Sequence, residues 1–157
     1  MTLKYLNIYN NLIKLTRNKN LYLNLSSEES FSDRIIFLLF HLAFFFSTYK
    51  DNNSKDTLQK IHDFVFKQIE ISIREIGYGD VSINKNMKNY VNFFYDILSN
   101  IDHWNKFNFD KKALILNSFI NNSKNISIFV NYFDKLIAFY KNNTLNFFTK
   151  DIEEFKI

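Results

Sequence analysis

The sequence predicts an all-α protein, a single-domain bundle of about six or seven helices. Apolar residues recur at steps of three and four along most of the chain, and no segment alternates at period two over a strand's length. The chain has two glycines and no proline, so few positions favour a break in a helix. Its 157 residues suit one hydrophobic core, and we predict one helical domain over residues 1–157.

The N-terminal part, residues 1–25, is predicted to be a basic helix followed by a connection. Apolar spacing predicts the helix from about residue 3 to 16 and a polar connection over 18–25. With no acidic residue beside them, four basic residues account for the whole net formal charge of +4. They are Lys4, Lys14, Arg17 and Lys19. Such a helix either meets an anionic surface, lipid or ribosomal RNA, or presents an ordinary solvated face.

The middle of the chain, residues 28–101, is predicted to form three helices. The first, about 28–49, contains a Phe-rich run over 35–46 that is apolar on nearly all sides. A membrane span needs roughly 20 apolar residues, so this run indicates a central core helix. The next helix spans about 55–76, with Ser54 as its N-cap and Gly77 in the left-handed conformation after its last turn.

The remaining helices follow the second glycine. One starts near Ser82, with Asp80 as the other candidate cap, and extends to about Ile101. A loop over 102–108 precedes the C-terminal part, residues 102–157. Apolar stripes there predict three further helices at about 110–120, 124–140 and 145–155.

The sequence offers no catalytic, metal or cofactor signature. There is no cysteine, and the three histidines lack metal-site spacing. Nucleophile motifs and nucleotide-binding loops are also missing, so we predict a protein without enzymatic activity and without specific DNA binding. His41 has two interpretations. It is either a haem or small-ligand contact in a Phe-rich pocket, or a core histidine bonded to a polar neighbour.

Both glycines fall in one charged bend between two helices, and this bend is the candidate partner-binding site. A bend of this kind is either a helix stop whose charges pair with each other or a rigid exposed platform that grips another protein. The candidate partner-binding residues are Arg74, Glu75, Gly77, Tyr78, Gly79, Asp80, Lys85 and Lys88.

The run from Asp33 to Met87 resembles the ubiquinol–cytochrome c chaperone family, the assembly factors of ubiquinol–cytochrome c reductase. The family pattern has an Arg, apolar residues and then a His, here Arg34 and His41. Its strongest part is a Leu-Arg-Glu-x-Gly-x-Gly-Asp turn followed by an apolar-Lys-x-Met-Lys segment. The corresponding stretch here, residues 62–88, reads HDFVFKQIEISIREIGYGDVSINKNMK.

This resemblance implies a non-catalytic protein that binds newly made cytochrome b while the reductase is assembled. Family members act in mitochondria with a small partner protein near the ribosome exit. The resemblance therefore implies cytochrome b as partner, with the ribosome and the membrane surface as further contacts of residues 1–17. No signal peptide is apparent, and we expect a soluble protein of the bacterial cytoplasm or mitochondrial matrix, peripheral to the inner membrane.

Overall fold

The computed structural model describes residues 2–26 and 30–155, and these are 77% helical without a strand element. This confirms the all-α prediction. The described residues contain seven α-helices, and two short 3-10 helices lie at Trp104–Lys106 and Leu145–Thr149. The α-helices are α1 Thr2–Thr16, α2 Lys19–Leu23, α3 Phe31–Tyr49, α4 Lys55–Ile76, α5 Asp80–Asn100, α6 Phe109–Phe119 and α7 Ile126–Lys141.

Helix α3 lies at the centre of the bundle, as its all-round apolar sequence predicts. It packs against α1, α5 and α7, and its residues from 37 to 46 are all buried. The Phe40 and Phe44 rings both stack on Phe133 of α7, at centroid distances of 5.2 and 4.9 Å. By length and composition α3 is also the one helix among the described residues that could span a membrane. Most of its most apolar stretch is buried inside the bundle.

The start of α3 differs slightly from the predicted boundary. Ser30 is the N-cap, and its side chain accepts a hydrogen bond from the Asp33 backbone N–H. The Asp33 carboxylate accepts in return from the Ser30 N–H, which completes a capping box. The predicted start near residue 28 lies outside the described residues, because 27–29 are not among them.

Helices α4 and α5 pair across the glycine-containing bend, and each has one buried face: α5 also packs against α3, whereas α4 packs against α1. Ser54 caps α4 and Gly77 follows its last turn with φ of 103°, both as predicted. Helix α5 starts at Asp80, before the expected Ser82, and Gly79 occupies its N-cap position. The predicted Asp80 cap is therefore wrong. The Asp80 carboxylate instead receives a hydrogen bond from Arg74, 2.9 Å away.

Two predictions at the ends of the chain are also wrong. The expected connection over 18–25 contains a one-turn helix, α2, which begins after Asn18 because that side chain accepts from the Asn20 N–H. The expected helix over 145–155 is only a 3-10 turn as far as Thr149. At the end of this turn, Asn11 of α1 donates to the carbonyl oxygens of Phe148 and Lys150, at 2.9 and 2.7 Å. Those bonds hold the segment in a non-helical conformation.

Candidate partner-binding site at the α4–α5 bend

The bend from Arg74 to Asp80 lies on the surface of the molecule, and each of its seven residues is exposed. The left-handed φ of Gly77 turns the chain out of α4, and its backbone N–H donates to the Arg74 carbonyl at 3.0 Å. Gly79 has an ordinary extended conformation, φ −74° and ψ 162°. A Cβ atom built on either glycine would meet no atom within 4 Å. The bend is therefore open to solvent on both sides of Tyr78.

One ion pair spans the bend. The Arg74 guanidinium lies 2.9 Å from the Asp80 carboxylate and 3.8 Å from Glu70, one turn earlier in α4. The hydrogen bond to Asp80 is the largest influence on Arg74 and raises the pKa of that guanidinium. Lys67 in turn lies 2.8 Å from Glu70 and lowers the pKa of that carboxyl. Because these groups are solvent-exposed, their pairing fixes the shape of the bend more than it stabilises the fold.

The structure joins only some of the predicted site residues. Arg74 and Asp80 are in direct contact, whereas Lys85 and Lys88 lie further along α5 and are exposed to solvent. Within residues 2–26 and 30–155, neither lysine has a carboxylate within ion-pair distance. Burial is the main cause that raises the pKa of Tyr9 in α1; the Glu75 carboxylate also raises it, whereas Arg17 lowers it.

Apolar side chains complete the surface, and sequence reasoning missed two of them. Ile76 is 53% exposed and Val81 is 86% exposed, and they flank the predicted Tyr78, which is 49% exposed. Ile76 follows the buried Ile73 of α4 by three positions, so helical spacing alone does not distinguish it from a core residue. Three large apolar groups beside a rigid ionic bend are typical of a protein-binding surface.

A family model described as Ubiquinol-cytochrome C chaperone matches residues 24–120. The chain belongs to the ubiquinol–cytochrome c chaperone family. The matched region extends from the end of α2 to the end of α6 and places the bend near its centre. Membership in this chaperone family supports a role in the assembly of ubiquinol–cytochrome c reductase. Comparisons with curated proteins and with solved structures gave no match for the chain.

His41, the candidate haem or small-ligand contact, is fully buried, and both of its ring nitrogens are hydrogen-bonded. Nδ1 lies 2.6 Å from the Phe37 carbonyl oxygen, and Nε2 lies 2.5 Å from the Tyr132 hydroxyl. A carbonyl can only accept, so Nδ1 carries the proton and Nε2 accepts from Tyr132. Burial lowers the pKa of His41 to about 4, against a smaller opposing effect of the Phe37 bond. This arrangement fits the core interpretation and leaves no ring nitrogen free to bind haem iron.

The basic N-terminal helix is an integral part of the core of this chaperone-family chain. Ile8, Leu12 and Leu15 of α1 are almost completely buried, so the apolar face of the helix is not available for a lipid surface. Lys14 is paired with Asp151 at 3.0 Å and donates to the Ile152 carbonyl at 2.6 Å. Of the four basic residues on which the surface interpretation depends, Lys14 is therefore already neutralised.

Proposed function

We propose that this family member is a non-catalytic assembly chaperone that binds newly made cytochrome b through the α4–α5 bend. The observation that carries the proposal is the exposure of that bend within a chain of this family. Its ionic and apolar side chains face solvent on a turn held by Gly77 and by the Arg74–Asp80 pair. A platform of this kind needs no catalytic group, and it acts next to the inner membrane, where cytochrome b is inserted.

The chemistry of the bend suits a transient protein contact. Ile76, Tyr78 and Val81 supply apolar area, and the Arg74–Asp80 pair orients the turn before a partner arrives. A preorganised surface loses little conformational entropy on binding, so a small patch can still give useful affinity. The surface remains weak enough to release its client once assembly proceeds, because its ionic groups stay solvent-exposed.

The proposal predicts that Arg74→Ala and Asp80→Ala each weaken capture of cytochrome b while the helical fold is retained. We expect capture to fall roughly tenfold, the scale of an interface arginine hot spot. The measurement is the amount of newly made cytochrome b that co-purifies with the tagged protein from cells that make both. The matched control is Lys60→Ala, which breaks an exposed ion pair to Asp56 (3.0 Å) at the other end of α4.

A charge exchange separates the two roles that Arg74 can have. The double variant Arg74→Asp with Asp80→Arg restores an ion pair across the bend but reverses its direction. If the pair serves only to shape the bend, the exchange retains capture. If Arg74 contacts the client, capture stays as low as in Arg74→Ala. Full capture by both single alanine variants, with the fold intact, would overturn the proposal.

Contact of residues 1–17 with the ribosome or the membrane surface is a separate part of the proposal. Because most of the apolar face of α1 lies in the core, such a contact would be mainly electrostatic and would use Lys4 and Arg17, which are both exposed. Deletion of α1 would expose the core, so charge reversal is the better test. The double variant Lys4→Glu/Arg17→Glu is expected to reduce flotation with anionic liposomes and sedimentation with ribosomes. Unchanged values in both assays would remove these partners.

A further inference from the structure

The outward face of α5 carries a line of exposed residues that begins at the bend. Their spacing, alternating between four and three positions, places them on one side of the helix. We call this line the α5 stripe. Its members are Val81, Lys85, Lys88, Asn92, Tyr95 and Ser99, all exposed. The opposite side of α5 is buried in the core through Ile83, Phe94 and Ile97. The α5 stripe is therefore a solvent-facing side of the helix, which contacts the rest of the described molecule chiefly at Tyr95, whose hydroxyl lies 3.3 Å from His62 Nε2 of α4.

Apolar surface lies near both ends of the α5 stripe. At the bend, Val81 is 86% exposed beside Tyr78. At the other end, Tyr95 and Ser99 line an open cleft of about 400 Å³ whose apolar wall comes from Phe46, Leu58 and Leu98. A rise of about 1.5 Å per residue puts Val81 and Tyr95 about 21 Å apart along the helix. A partner that follows the stripe thus has two apolar contacts four turns apart.

The middle of the α5 stripe is cationic. Lys85 and Lys88 are exposed, and neither ammonium group has an ion-pair partner in the part of the chain that the structure describes. The neighbouring cation of the bend, Arg74, is already paired with Asp80 at 2.9 Å. The two lysines are consequently the cations on this face that can pair with another molecule. They favour a partner that has carboxylates between its two apolar contacts.

We propose that the α5 stripe binds an acidic amphipathic helix of a partner protein. Carboxylates of that helix lie against Lys85 and Lys88, and one apolar residue near each of its ends contacts Val81 or the cleft beside Tyr95. Because the stripe starts at the bend, this inference rests on the proposed function. It adds the kind of segment that the surface binds, which is a water-facing acidic helix.

Three other occupants fit less well. A transmembrane helix would bury both ammonium groups without a counter-charge, which is costly. The same stripe of a second copy has no Asp or Glu, so it would supply no carboxylate to either lysine. An anionic membrane would meet only two cations, with the acidic Glu75, Asp80 and Asp96 on or near the same helix.

The test uses the full chain and a designed helical peptide. The peptide has a leucine near each end, at the spacing of Val81 and Tyr95, with glutamates between them and a fluorophore for anisotropy. We expect the glutamate peptide to bind and a version with lysines in place of glutamates to bind at least about tenfold more weakly. Added salt is expected to weaken the binding, because the contact is partly ionic.

Charge reversal on the stripe supplies the decisive comparison. Lys85→Glu/Lys88→Glu is expected to lose at least about tenfold in affinity for the glutamate peptide. The matched control, Lys124→Glu/Lys135→Glu, reverses two exposed lysines outside the stripe and is expected to bind as the unmodified chain does. Circular dichroism verifies that both variants are folded.

The proposal is overturned if the glutamate peptide does not bind, if the lysine peptide binds equally well, or if Lys85→Glu/Lys88→Glu has no effect. It is also overturned if the lysines instead mediate binding to phosphatidylglycerol vesicles. Peptide binding without any capture of cytochrome b would contradict the proposed function and leave the stripe in place. Capture of cytochrome b that persists in Lys85→Glu/Lys88→Glu, together with peptide failure, would overturn the stripe alone.

Discussion

At the scale of single residues, only one of the two glycines of the bend has a backbone conformation that favours glycine. Gly77 has φ of 103°, a region in which an L side chain clashes with its own backbone, whereas Gly79 has φ of −74°. We predict that Gly77→Ala lowers the free energy of unfolding by about 1–2 kcal/mol. Gly79→Ala is the comparison: alanine is the poorer N-cap residue by about 1 kcal/mol, but it reduces the freedom of the unfolded chain by a similar amount, so the net change should be smaller. Urea unfolding measures both, and equal losses would contradict the assignment.

His41 makes stability depend on pH in a definite direction. Its folded-state pKa is about 4, below the unfolded value of 6.5. Between those values the unfolded chain binds a proton that the folded protein does not, so stability falls as pH decreases from 6.5 to 4. The loss is negligible well above pH 6.5 and approaches about 3 kcal/mol below pH 4.

Urea unfolding at a series of pH values checks this prediction. His41→Gln removes the titrating group, so its stability should change less over this interval than that of the unmodified protein. His103→Asn removes an exposed histidine from a left-handed position that Asn tolerates, and it should retain the full dependence. The same pH dependence in His41→Gln and the unmodified protein would show that the buried ring is not responsible.

At the scale of elements, Asn11 of α1 holds the C-terminal segment, residues 145–155, through hydrogen bonds that the local sequence does not reveal. We call this contact the clasp. The stripes of α4 and α5 were predictable because their apolar periodicity and the Ser54 and Gly77 caps are local signals. Residues 145–155 show a helical stripe as well, but Asn11 binds the Phe148 and Lys150 carbonyls that a helix would need. That competition comes from a residue more than 100 positions away, so periodicity alone gives the wrong element.

The clasp can be tested at Asn11, which is completely buried. Asn11→Ala leaves the two carbonyl groups without their donor, so we expect a loss of about 1–3 kcal/mol in the free energy of unfolding. The C-terminal segment should also become more sensitive to protease. The matched control is Asn10→Ala, which changes an exposed residue on the same helix. Similar effects of the two substitutions would contradict the clasp.

The candidate site shows the same division between local and long-range signals. The charged residues of the bend were recognisable from sequence because glycines and charges are conspicuous between two apolar helices. The exposure of Ile76 was not, because the residue follows the buried spacing of α4 and becomes exposed only where the core ends. The α5 cap was mispredicted for a related reason. The Asp80 side chain bonds to Arg74 across the bend, and Gly79 is left as the N-cap.

At the scale of the whole molecule, the region that matches the family is smaller than the folded core. Residues 24–120 contain α3 to α6, but α3 is also covered by α1 and α7. Phe133, which stacks on Phe40 and Phe44, lies outside the match, as does the fully buried Phe148. The chaperone-family segment therefore depends on both chain ends for its hydrophobic core.

We predict that a fragment of residues 24–120 does not fold cooperatively. Without α1 and α7, the faces of α3 that carry Phe37 and Phe45 would be in water, which loses the burial of several aromatic side chains at about 1.5–3 kcal/mol each. Near-UV circular dichroism and binding of a hydrophobic dye compare the fragment with the full chain. A fragment with a sharp unfolding transition and no dye binding would show that the matched region is a self-sufficient unit.

The proposed function requires that the α4–α5 bend contacts cytochrome b. Site-specific photocrosslinking tests it most directly, with benzoylphenylalanine in place of Tyr78 at the bend or in place of Leu114, which is 67% exposed on α6. In cells that are making cytochrome b, we predict a crosslinked product with newly made cytochrome b from position 78 and none from position 114. A crosslink to cytochrome b from position 114 and none from position 78 would contradict the account.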